Sequence, residues 1–304
     1  MHYQHAWFLE SRSSLSNPKR DWYIWKKPKH DEDGVRHPPN NWSMILGEKN
    51  SAWTYDEKTD EYFLALFTAE QPDLNWENPD VRAAVYDVML FWLERGASGF
   101  RMDVINLISK DQSFPNAKVV SPEHTYQPGH EFYANGPRLY EFLNEMYEKV
   151  LSQHDTITVG EMPWVRDDKE ILKVVGASAG ELRMIFVFEI VDIDNGPGYR
   201  LTLKDWDARE IKRIMNHWQR LMIDNDGWNS VFCENHDNPR SVSRYTDDSD
   251  EFRELGAKLL CLMQTTLCGT LYVFQGQELG MRNFPPSWPI EEYKDIESQN
   301  YWQK

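Results

Sequence analysis

The sequence predicts an α/β fold in which short buried strands alternate with amphipathic helices. Three observations carry that prediction. Apolar residues recur at helical spacing in four separate stretches between residues 78 and 263. Between these stretches lie short runs rich in β-branched and aromatic side chains, as strands require when both faces are covered. At 304 residues and 40% hydrophobic, the chain can bury a sizeable core.

Residues 1 to about 75 read as irregular. They are rich in Pro, Asn, Trp and charge, with PPNNW at Pro38–Trp42, and they sustain no helical period. Loops and short strands are expected there, ending in the extended segment EYFLALF (Glu61–Phe67). Asn78-Pro79 then opens a helix, with Asn as N-cap and Pro at the first helical position. Val81, Val85, Val88, Met89 and Trp92 follow at helical spacing, and Gly96 ends the helix. A strand is expected over Gly99–Asp103. A helix on Leu139, Phe142, Leu143, Met146 and Val150 precedes a second strand, Thr156–Glu161. A third strand covers Met184–Ile190, and a helix runs through Trp206, Ile211, Ile214, Met215, Trp218 and Leu221. Ser230–Cys233 is a fourth strand, followed by a helix on Phe252, Leu255, Leu259 and Met263. Thr270–Phe274 is the fifth strand. Such alternation argues for parallel βα units. Polar residues cluster at the C-terminal ends of several strands, where (β/α) barrels place their active sites. A doubly wound sheet fits the same rhythm, but no GxGxxG or GxxxxGK[ST] phosphate loop is present.

A formal net charge of -16 argues against nucleic acid as a partner, because such binding rests on Lys and Arg neutralising phosphates. Cys233, Cys261 and Cys268 are odd in number and lack metal spacing, so neither a disulfide framework nor a metal site is expected, and no cofactor motif appears. The N-terminal MHYQHAWFLESR has no secretory pattern, and no apolar run approaches the ~20 residues of a membrane span. A soluble cytoplasmic protein is expected. Thirteen Trp, fourteen Tyr and fourteen Phe are ordinary core filler, and they also make good walls for flat ligands such as sugar rings.

The polar groups at the strand ends suggest a chemistry. In GFRMD, Arg101 and Asp103 lie two residues apart and so share one face of a strand. Buried together, the arginine would keep the aspartate ionised, as a nucleophile or cation stabiliser requires; a purely structural ion pair is the equal alternative. Glu161 ends the second strand among apolar neighbours, a setting that raises a carboxyl pKa and suits a general acid; a strand-end glutamate facing solvent is the commoner alternative. In FCENHDNPR (Phe232–Arg240), adjacent His236 and Asp237 can line one site only if the chain leaves the strand there, which Asn238-Pro239 favours. A hydrogen-bonding pair for hydroxyls suits them better than a metal site. Carboxylates from three strands, with Arg and His, point to glycoside chemistry, which pairs one ionised carboxylate with one protonated partner.

GFRMD, TVGE, ENHD and the earlier QPDLN (Gln71–Asn75) occur in the order and spacing of the α-amylase superfamily, glycoside hydrolase family 13. Over essentially the whole chain the sequence resembles its maltase and oligo-1,6-glucosidase group, above all fungal members, including the stretch TLYVFQGQELG (Thr270–Gly280). The resemblance implies a partial (β/α)₈ TIM barrel, strands 4 to 8, over residues 76–304, preceded by an irregular inserted domain B over residues 1–75. It implies a retaining, exo-acting α-glucosidase on short α-glucosides such as isomaltose, maltose or sucrose. Asp103 would be the nucleophile, Glu161 the acid and then the base, and Asp237 the stabiliser of the distorted sugar. Arg101 would hold Asp103, His236 and Arg240 would bind substrate, and Phe67 would form an aromatic wall. Val104, the residue after the nucleophile, goes with a lean to α-1,6 linkages.

Some family features depart. Ser43-Met44-Ile45-Leu46 stands where relatives often carry aromatics after PPNNW. The family's DxxxNH segment, the calcium loop of some relatives and the C-terminal β-sandwich have no counterpart in these residues. A truncated chain, inactive alone, is therefore the alternative expectation; a non-catalytic amylase-fold relative is a further one, disfavoured by the presence of all three carboxylates.

Overall fold

Asn78 caps a helix as its sequence predicts: its side chain accepts the Asp80 N–H at 2.9 Å, and Pro79 opens the helix. That helix lies in the first of two compact units, formed by Met1–Ala97, Asn106–His154 and Pro289–Lys304; the second comprises Ser98–Ile105 and Asp155–Trp288. The computed structural model describes residues 1–176, 181–196 and 203–302.

The first unit begins with a short helix, α1 (Ala6–Ser11), capped by His5. Three antiparallel strands follow: β1 (Trp25–Lys26), β2 (Trp53–Asp56) and β3 (Glu61–Leu64), with β3 in the middle. Phe8, Tyr23, Phe63 and Ala65 form a buried cluster under Tyr3, Trp7, Trp22, Trp25 and Leu74, so many of the aromatics are indeed core. The QPDLN stretch works as a clasp. Asp73 accepts the Leu66 N–H at 2.9 Å and pairs with the buried Lys110 ammonium at 3.0 Å, while Asn75 donates its N–H to the Trp22 carbonyl at 2.8 Å. Helices α2 (Pro79–Glu94) and α3 (Leu139–Lys149) complete the frame, tied by Arg82 to Glu145 at 2.7 Å. The expectation of loops and short strands before residue 75 overlooks α1. Its six residues are too few to show a period, and only the His5 cap and the buried Phe8 mark it.

Among its described residues the second unit holds five parallel strands in two pieces. Strands β4 (Gly99–Met102), β5 (Ile157–Glu161) and β6 (Met184–Phe186) pair in the order β6-β5-β4. Strands β7 (Ser230–Val231) and β8 (Thr270–Leu271) pair with each other. The Ser230 hydroxyl donates to the Ile185 carbonyl at 2.6 Å and so joins β7 to β6. Register is pinned at Gly99, which has φ +154 and lies so close to Ile157 that a Cβ would stand 1.8 Å from its carbonyl oxygen. Every strand is at its expected place, but all are shorter than expected: β5 begins one residue later, at Ile157, and the other four stop early, at Met102, Phe186, Val231 and Leu271. Helix α4 (Asp168–Val175), capped by Asp167, was not expected; α5 (Ala208–Asp224), α6 (Ser241–Tyr245) and α7 (Arg253–Thr265) follow. Helix α5 buries Ile214, Trp218, Leu221 and Met222, much of the predicted stripe.

Candidate active site

β4 stops at Met102, and Asp103 and Val104 form a turn. Val104 has φ +35, a left-handed conformation that a β-branched residue adopts only under strain. The turn carries Asp103 out of the ladder and points the Val104 N–H at Glu161 Oε2, 3.3 Å away. Arg101, on the last full turn of the pleat, bridges two carboxylates. Its Nη1 donates to Asp103 Oδ1, and its Nη2 donates to Glu161 Oε2 at 2.7 Å.

The two carboxylates have opposite surroundings. Glu161 ends β5 and is 5% exposed; the Asp103 side chain is 74% exposed. Burial pushes the Glu161 pKa up to about 7. The Arg101 charge and the Val104 N–H pull against this, and the nearby Asp103 carboxylate adds to it. Burial also works against the Arg101 cation, but Asp103, Glu161 and Asp237 together raise its pKa, so it stays charged. The expectation that Arg101 and Asp103 are buried together is corrected here. The strand ends one residue before Asp103, and the Val104 turn swings its carboxylate into solvent while leaving it within reach of the guanidinium fork.

His236 and Asp237 also sit in a turn, because β7 ends at Val231. Asn235 Oδ1 accepts the Asp237 N–H at 2.9 Å, and His236 Nε2 lies 3.2 Å from Asp237 Oδ2. The field of Asp237 reaches Arg101. Arg240 is differently employed: Nη1 donates to Glu234 Oε1 and to the Gln275 carbonyl, both at 2.8 Å. Phe67 belongs to the first unit and is half-buried. The structure thus brings Arg101, Asp103, Val104 and Glu161 together, with Asp237 in electrostatic range, and gives Arg240 to protein partners. Glu234 escaped the sequence reading, although an acidic residue directly after the apolar Phe232-Cys233 was a usable signal.

A buried carboxyl that keeps its proton near neutrality, linked through one guanidinium to an open carboxylate, is a pairing suited to acid-assisted displacement at a sugar carbon.

The family described as Alpha amylase, catalytic domain, matches residues 1–303. An α-glucosidase of Schizosaccharomyces pombe is 49% identical over 98% of this chain and 51% of its own length. An oligo-1,6-glucosidase of Parageobacillus thermoglucosidasius is 46% identical over 99% of this chain and 51% of its own. Among solved structures, trehalose-6-phosphate hydrolase of Bacillus licheniformis is 42% identical with a TM-score of 0.85, and isomaltulose synthase of Erwinia rhapontici NX5 is 37% identical with a TM-score of 0.90. All of this chain and 52% of each of those chains are covered. The chain therefore spans about half the length of the relatives it matches. Among the described residues, no helix is long and apolar enough to cross a membrane.

Proposed function

Because the chain belongs to the α-amylase catalytic-domain family, we propose that it carries the reacting groups of a retaining, exo-acting α-glucosidase acting on short α-glucosides, with a lean to α-1,6 linkages. The observation that carries this reading is the Arg101 bridge between the open Asp103 and the buried, proton-retaining Glu161. Asp103 attacks the anomeric carbon and forms a β-glucosyl ester. Glu161 gives its proton to the departing oxygen, then takes one from water as the ester is cleaved. Arg101 orients Asp103 through its Nη1 hydrogen bond. Asp237 and His236, 3.2 Å apart in one turn, take sugar hydroxyls. The lean to α-1,6 rests on Val104 and on the oligo-1,6-glucosidases among the relatives.

The five parallel strands are read as strands 4 to 8 of an eight-stranded barrel over residues 76–304, with residues 1–75 as an inserted domain. In support, helices separate successive parallel strands along the chain: α3 stands between β4 and β5, α4 between β5 and β6, α5 between β6 and β7, and α7 between β7 and β8.

The test is turnover of p-nitrophenyl α-glucoside by residues 1–304, alone and joined to the half of the S. pombe α-glucosidase that they do not match. Turnover by the joined chain that disappears with Asp103→Asn supports the reading. Unchanged turnover in that variant refutes it.

A further inference from the structure

We infer that Glu234 and Arg240 are a positioning pair that sets the turn carrying His236 and Asp237, and that Arg240 acts on substrate only through that turn. The inference rests on the glucosidase reading for its consequence, but its geometry stands on its own. Glu234 is 3% exposed, and both its carboxylate oxygens are taken. Oε1 accepts Arg240 Nη1 at 2.8 Å, and Oε2 accepts the Ser241 N–H at 2.5 Å. The pair therefore closes the segment from 234 to 241 at its base and leaves His236 and Asp237 at the tip.

Arg240 anchors that base to a second segment. It donates to the Gln275 carbonyl at 2.8 Å, and its own N–H donates to Asn283 Oδ1 at 2.7 Å. Its guanidinium lies 4.9 Å from the centre of the Phe274 ring. Within the tip, Asn235 Oδ1 accepts both the Asp237 N–H, at 2.9 Å, and the Asn238 side-chain amide, at 2.7 Å. A guanidinium committed to a buried carboxylate, a carbonyl and a ring face is engaged with the protein. The side chain is only 18% exposed, which fits an internal strut better than a sugar contact. Both bonds leave from the one nitrogen Nη1, and Arg240→Lys would keep the charge while removing the planar face that lies against Phe274 and shortening the reach to Glu234.

The experiment is a double-mutant cycle with Glu234→Gln, Arg240→Lys and the double variant in this chain. The first readout is the NMR resonances of the His236 ring, with those of His217, paired to Asp168 3.0 Å away, as the control. Each single change should move the His236 signals and leave those of His217 in place, and the double variant should move them no further than the larger single. The second readout is the kinetics of p-nitrophenyl α-glucoside hydrolysis, where KM should rise several-fold with kcat changed less, equally in the singles and the double. Unmoved His236 signals in folded Glu234→Gln, or additive shifts in the double, overturn the pair. If Glu234→Gln fails to fold, Glu234→Asp, which keeps the charge but shortens the reach, is read by the same criteria. The kinetics are read in the joined chain; an unsubstituted joined chain without turnover counts against the glucosidase reading, while the His236 signals still decide the pair.

Discussion

Glu161 shows how one side chain's surroundings decide its chemistry. In the folded chain it keeps its proton to about pH 7, against an ordinary value of 4.5. The folded state therefore binds more protons than the unfolded one between those values, and stability falls as pH rises through that window. The loss is on the order of 3 kcal/mol and is absent below the lower value. Urea unfolding at about pH 4 and about pH 8 should show this drop, and Glu161→Gln should remove it. In catalysis the same group must be protonated, so kcat/KM should decline above about pH 7. Glu161→Gln should cost about 10²–10⁴-fold with ordinary substrates, and much less with leaving groups that need no proton. Val104 makes a separate prediction. Val104→Thr should shift the kcat/KM ratio of isomaltose to maltose toward maltose, by no more than a contact contribution of about 1–3 kcal/mol. An unchanged ratio would exclude Val104 as a linkage determinant.

Among the elements, the β4–β5 pair holds Arg101, Asp103 and Glu161 in one place, and Gly99 is its weak point. A Cβ there would stand 1.8 Å from the Ile157 carbonyl oxygen, and the backbone is already in a region that side chains disfavour. Gly99→Ala should lower stability by several kcal/mol and shift the resonances of Arg101 and Glu161 together; a Tm within a degree of the parent chain would contradict that. This is also the scale at which the sequence was most readable. The Asn78-Pro79 start, the stripe of α5 and the positions of all five parallel strands follow from local rules, because capping and periodicity are local. Glu161's burial was legible only in part, since Val159-Gly160 before it and Met162-Pro163 after it fit a solvent-facing strand end as well. Asp103's exposure was not, because nothing in GFRMD announces that Val104 will take a left-handed turn. The use of Arg240 was equally hidden, since its partner Gln275 lies in a distant segment. The short helices α1 and α4 escaped because fewer than three turns give little period to read.

At the scale of the whole molecule, both units show apolar helix surface to solvent. In the first, Val88, Phe91 and Trp92 of α2 are 47%, 44% and 53% exposed. In the second, Leu255, Leu259 and Leu262 of α7 are all above 60%. Large apolar side chains at this spacing form a face that water does not favour. Residues 1–304 should therefore self-associate, with sedimentation coefficients that rise with concentration. Leu255→Lys with Leu259→Lys should suppress that rise without altering the far-ultraviolet circular dichroism. The net charge of -16 opposes association through repulsion, so the effect should grow with added salt.

The assignment of Asp103 as nucleophile beside a proton-donating Glu161 is the centre of the account, and a covalent intermediate is its most direct consequence. The measurement is peptide mass spectrometry of the joined chain after reaction with a fluorinated α-glucosyl substrate that forms the ester quickly and releases it slowly. One sugar adduct is expected, on the peptide containing Asp103, lost in Asp103→Asn. Turnover with no adduct, or an adduct on any other carboxylate, would contradict it.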